Sequence, residues 1–200
     1  MFSVLRHISF LILAGSVFLS GCEGGVGLHT ENQENVADSA SFADSALSSL
    51  PDVLQGLPLG IEVWHEPDTL MAVKWEKDTT RYVWKHQTYM FAYVSDLKII
   101  EFGTYNYKHG KWELGNINKK LYGPDELGMW YVQFDKGLVK WEHPEDGLVK
   151  KDVVYFDPSN YSIKNKELVH RRGLWYFIGV DSTGKKYAGY GRYVALPELY

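Results

Sequence analysis

The chain has 200 residues, with 21 Lys and Arg against 25 Asp and Glu, for a net charge of −4 at pH 7. Cys22 is its only cysteine, which excludes intrachain disulfides and any metal or iron–sulfur site built from several thiolates. The charge is unevenly divided: residues 22–59 hold six acids and no Lys or Arg, whereas 60–200 hold 20 bases and 19 acids, a balance without the electrostatic footprint of a nucleic-acid-binding domain.

At the N-terminus Arg6 precedes an apolar run from Ile8 to Phe18. About ten apolar residues make a signal-peptide core and are too few for a bilayer-spanning helix, which needs roughly 20. The run ends in Leu19-Ser20-Gly21-Cys22, a branched apolar residue and two small residues before a cysteine. This segment, residues 1–22, resembles the signal peptide and lipobox of bacterial lipoprotein precursors. The resemblance implies removal of residues 1–21, a diacylglycerol on the Cys22 thiol and a third acyl chain on the new N-terminus. Two chains suffice for stable anchoring, so the expected partner of Cys22 is a membrane. The expected location is the cell envelope, at the outer membrane or cell surface rather than the inner membrane.

Residues 22–59 read as an acidic tether, because Gly, Ser, Ala, Asp, Glu and Asn bury too little surface to fold alone. Within them Val36, Ala40, Ala43, Leu47, Leu50 and Leu54 recur at spacings of four and three, a helical stripe. Asn35 would cap it and Pro51 would interrupt it. The segment is either a linker or a short helix over 36–50 docked on the domain.

Residues 60–200 carry all seven Trp, all fourteen Tyr and five of the nine Phe, a strand-forming composition. Met71, Val73 and Trp75 share one strand face. The row Tyr82, Trp84, His86, Thr88, Met90, Ala92 and Val94 predicts a long or bent strand. Shorter strands are expected at 112–114, 129–134, 138–141 and 153–156, and a hairpin over 174–196 is expected to be the best-formed piece. His109-Gly110, Asp135-Lys136-Gly137 and Asp181-Ser182-Thr183-Gly184 supply turn chemistry. Pro124-Asp125-Glu126-Leu127 predicts the one helical turn. About nine or ten strands at such spacing predict an all-β domain, an antiparallel β-sandwich of immunoglobulin-like type, with a small β-barrel as the alternative.

Signals of catalysis are sparse. His29, His65, His86, His109, His143 and His170 lie too far apart for helical zinc signatures, and most read as surface or turn residues. No strained serine turn and no alternating calcium loop occurs. The pairs Asp125-Glu126 and Glu145-Asp146 read as solvated loop tips rather than the spaced carboxylates of a glycosidase. Asp157-Pro158-Ser159-Asn160 reads first as a turn and second as a ligand or ion contact. No catalytic residue, metal or cofactor is therefore assigned. Aromatic residues are the remaining signal, because Trp offers a rigid face to sugar rings and to protein interfaces. Trp112, Trp130 and Trp141 are the candidate ligand-binding residues. The expected function is a non-enzymatic, membrane-anchored module binding a protein or glycan. The rivals are a lipid carrier with a barrel cavity and a hydrolase gathering His65, Asp157 or His143 in a cleft.

Overall fold

The computed structural model describes residues 50–200, with 162–165 described by backbone alone. The leader, Cys22 and all of the expected 36–50 helix except Leu50 lie outside the described residues. Among those described, thirteen strands form two sheets, and no helix is long and apolar enough to cross a membrane. The domain is all-β, as its alternation predicts. The strand count exceeds the expected nine or ten because short edge segments also pair.

The smaller sheet runs in the order β1 (Ile61–Glu66), β4 (Gln87–Ala92), β10 (Val154–Asp157), β7 (Val132–Asp135) and β8 (Leu138–Lys140). The larger runs β11 (Tyr161–Asn165), β3 (Asp78–Lys85), β2 (Thr69–Trp75), β13 (Lys186–Leu199), β12 (Arg171–Val180), β5 (Leu97–Lys108) and β6 (Lys111–Leu114), with β9 (Leu148–Val149) also pairing with β5. One strand pairing departs from the antiparallel pattern: β13 lies parallel to β2. The β5–β6 turn holds His109 and Gly110 at φ 49° and 80°, the left-handed region that favours Gly at the second position.

The expected strand from Tyr82 to Val94 bends at His86. Its first half, β3, belongs to the larger sheet and its second half, β4, to the smaller. The antiparallel partner bends at the same place, since β10 pairs with β4 and β11 pairs with β3. The His86 N–H donates to the Asn160 carbonyl at 3.0 Å, stitching the two bends together. Strands that turn from one sheet into another make a corner. The segment Asp157–Asn160 is therefore a corner of the fold, with the inner faces of both sheets before it.

The hairpin of β12 and β13 has the predicted central place, with β12 paired to β13 on one side and β5 on the other. Trp175 and Phe177 face the main core between the sheets, and Leu174, Tyr176 and Ile178 face a second cluster. Bare backbone at Gly189 lets β1 approach closely, since a Cβ there would lie 2.3 Å from the Ile61 carbonyl oxygen. Leu54 caps the second cluster at 2% exposure, with Leu50, Val53 and Leu57 packed beside it. Full burial of such a side chain stabilises by about 1.5–3 kcal/mol. The packed domain thus includes Leu50–Leu59, which composition alone assigns to the tether. Its apolar residues cover the outer face of β12, a face that would otherwise meet water.

The helical turn at Pro124 extends to seven residues, α1 (Pro124–Trp130), with Pro at its start. The Glu126 carboxylate accepts from the Gly123 N–H at 3.0 Å and also meets Lys120. This fixes the N-terminal turn and thereby the place of Trp130 at the other end.

Candidate ligand-binding site

Beside the corner lies a cavity of about 460 Å³, within the range of small-molecule sites. Its walls come from segments far apart in the chain. The end of α1 supplies Met129 and Trp130, and the segment after β8 supplies Trp141 and His143. The corner contributes Asp157 to Tyr161, and β5 and β12 contribute Thr104 and Trp175. Gly115, Asn116, Ile117 and Tyr122 complete it, together with Val132.

Tyr122 meets the Trp130 ring edge-on at a centroid distance of 4.8 Å and lies stacked toward Trp175 at 6.5 Å. Trp141, in contrast, is 76% exposed and free to offer a face to a ligand. Trp175 is buried, and its indole N–H has no hydrogen-bond partner among the described residues. An unsatisfied buried donor costs about 1–3 kcal/mol.

Asp157 is the carboxylate among the lining residues. Burial pushes its pKa up to about 6, against the Ser159 backbone and side chain, which hold it down. At neutral pH it is mainly an ionised acceptor, with Oδ1 already receiving the Ser159 N–H at 3.0 Å. His143 Nδ1 lies 2.9 Å from the Tyr131 carbonyl oxygen, which can only accept, so Nδ1 carries the proton and the neutral ring has Nε2 as an acceptor. Asn116 is held at both ends: its Oδ1 accepts from the Thr104 N–H at 2.7 Å and its Nδ2 donates to the Lys120 carbonyl at 2.7 Å.

Behind the corner runs a buried polar chain. Asn160 Nδ2 donates to Thr88 Oγ1 at 2.8 Å, and Thr88 Oγ1 meets His65 Nδ1 at 3.2 Å. His65 Nε2 donates to the Gly191 carbonyl at 3.0 Å, so neutral His65 has Nδ1 free to accept the Thr88 hydroxyl proton. His86 stacks on Tyr193 at 5.3 Å and meets His65 edge-on at 5.1 Å. Among the described residues its ring nitrogens make no hydrogen bond of ordinary length and angle, although the Trp84 backbone lies close enough to ease its burial slightly. His65 and His86 are core residues, at 5% and 3% exposure, unlike the surface or turn positions expected for most of the histidines. His86 stands in the alternating row from Tyr82 to Val94, whereas no strand is expected from sequence around His65.

Two of the three tryptophans singled out from sequence, Trp130 and Trp141, line the cavity. Trp112 does not. It is half-buried on β6, edge-on to Tyr107 at 5.1 Å and packed on the cluster capped by Leu54. Of the expected hydrolase trio, Asp157 and His143 are in the wall, while His65 stands behind it and reaches the wall through Thr88 and Asn160. Among the described residues no group of three His, Cys, Asp or Glu could hold a metal ion. Sequence reasoning passed over Trp175, Tyr122, Asn116 and Thr104, whose part in the cavity depends on tertiary packing. No protein-family model, curated protein or solved structure matches the chain.

Proposed function

We propose that the protein is a lipid-anchored binding module of the cell envelope whose corner cavity takes a sugar ring of a glycan. The supporting observation is the pairing of aromatic rings with hydrogen-bonding groups in one cavity: Trp130 and Trp141 beside Asp157 and His143. A sugar presents apolar C–H faces to stack on indole and hydroxyls that both donate and accept. A purely apolar ligand would desolvate the Asp157 carboxylate without offering it a new partner. The main core is filled by side chains such as Trp84, Phe102, Tyr155 and Phe177, which argues against a lipid-carrying barrel. Glycosidases set two carboxylates across the scissile bond, and among the described residues Asp157 is the one carboxylate in this wall, which favours binding without cleavage.

A glycan array probed with the wild-type protein and its variants tests the reading. Trp141→Ala is expected to weaken the bound glycan at least tenfold, equivalent to about 1.4 kcal/mol. Trp112→Ala, outside the cavity, should bind like wild type. Equal losses in the two variants would contradict the assignment.

The anchor is carried by Leu19-Ser20-Gly21-Cys22 after the short apolar run. Mass spectrometry of the mature protein is expected to show acyl chains on a residue-22 N-terminus, and Cys22→Ser to abolish them. Mature wild-type protein without an acyl mass increment would contradict it.

A further inference from the structure

We infer that the sugar site continues across Trp141 into a second subsite, so that the ligand is an oligosaccharide of at least two rings. The inference rests on the glycan reading above. A second cavity, of about 510 Å³, shares Trp141 and His143 with the first. A chain running from one cavity to the other would cross these two shared residues as a ridge. A ridge of this kind can hold a chain only if it keeps its place, and two backbone anchors fix it. The Glu142 carbonyl accepts from the Gln133 N–H at 3.0 Å, and His143 Nδ1–H donates to the Tyr131 carbonyl at 2.9 Å. The Trp141 indole between the cavities is 76% exposed, so a bound chain crossing the ridge meets an aromatic face at the linkage between its rings.

The second cavity has its own polar groups. Gln133, Glu142, Glu145 and Lys150 supply donors and acceptors around it, as hydroxyl-rich rings require. Charge narrows the class further. Among the described residues the first wall carries Asp157 and no Lys or Arg, and the second sets two glutamates against Lys150. Such lining repels carboxylated or sulfated sugars and accepts neutral or amino sugars.

Ligand-observed NMR on the full-length mature protein, in a detergent without a sugar headgroup, tests the second subsite. The probes are glucose, N-acetylglucosamine and the β-1,4-linked dimers and tetramers of each. Affinity for at least one series is expected to rise about tenfold or more from monomer to oligomer. The double variant Glu142→Ala/Glu145→Ala changes two exposed side chains of the second cavity alone. It should cancel most of that gain and leave monomer affinity unchanged. Monomer binding without a gain in chain length would overturn the second subsite and leave the single-ring site standing. A gain that survives in the double variant would place the further rings elsewhere and overturn it equally. Binding of none of the six probes would count against the glycan reading itself, and the inference would fall with it.

Discussion

Replacing Phe177 with Ala is expected to cost about 3–5 kcal/mol of stability, the range for deleting a large buried aromatic side chain. Phe177 has no exposed surface and lies on the central strand β12. Its ring stacks on Phe102 at 5.5 Å with an interplanar angle of 9°, and Tyr131 meets it edge-on at 5.6 Å. Neither partner is solvent-exposed, so the hole left by Ala could not fill with a surface side chain. The loss is a large share of the roughly 5–15 kcal/mol that stabilises a typical domain. Lys185→Ala, in the turn of the same hairpin, is expected to cost under about 1 kcal/mol. Its ammonium sits 4.9 Å from the Tyr187 ring, an exposed cation–π contact of about 0.5–1 kcal/mol. Urea denaturation of both variants decides the point. Equal, small losses would mean that the hairpin does not organise the core.

Acid should destabilise the domain through the two buried histidines. Burial lowers the His65 pKa to about 4, partly offset by the Gly191 carbonyl and Asp68. Burial, then the neighbouring His65, lowers that of His86 to about 3. Both are neutral when folded and would ionise in the unfolded chain near pH 6.5. Their contribution is complete above pH 6.5 and is lost as pH falls toward 4 and 3. Asp157 runs the other way. Its folded pKa is raised, so its contribution is full below about 4 and disappears as pH rises through about 6. Two groups outweigh one, and net stability should fall between pH 6.5 and 4. His86→Phe keeps an aromatic ring against Tyr193 and removes one ionisation. At pH 5 the variant is expected to gain about 2 kcal/mol on wild type relative to their difference at pH 8. Parallel stability curves for the two proteins across this range would show that His86 is not held neutral by burial.

How these features read from sequence follows from which of them are local. The row Tyr82, Trp84, His86, Thr88 and Met90 kept its alternation through the bend at His86, because the same face points inward in both sheets. Trp84, His86, Thr88 and Met90 are all buried, so periodicity marks the inner face and hides the corner. Two polar residues in that row were the visible trace of a polar core. The turn reading of Asp157-Pro158-Ser159-Asn160 holds, since Asp157 Oδ1 receives the Ser159 N–H. What the four residues do not reveal is the cavity they face, whose other walls arrive from α1, β5, β12 and the segment after β8. Trp112 was misplaced for a related reason. Beside a hairpin turn it should be exposed, but Leu50–Leu57 thicken that side of the sheet, and their acidic, Pro- and Gly-bearing stretch carries no alternation to announce it.

A sugar ring in the corner cavity would be reported directly by the indole N–H resonances of the seven tryptophans. In a titration with the glycan selected by array, the Trp130, Trp141 and Trp175 signals are expected to shift. Trp141 should shift most, because its ring, 76% exposed, gains the most new contact. The signals of Trp64, Trp75, Trp84 and Trp112, which do not line the cavity, should stay in place. Shifts at Trp64 or Trp112 with Trp130, Trp141 and Trp175 unmoved would place the ligand on another face and contradict the account.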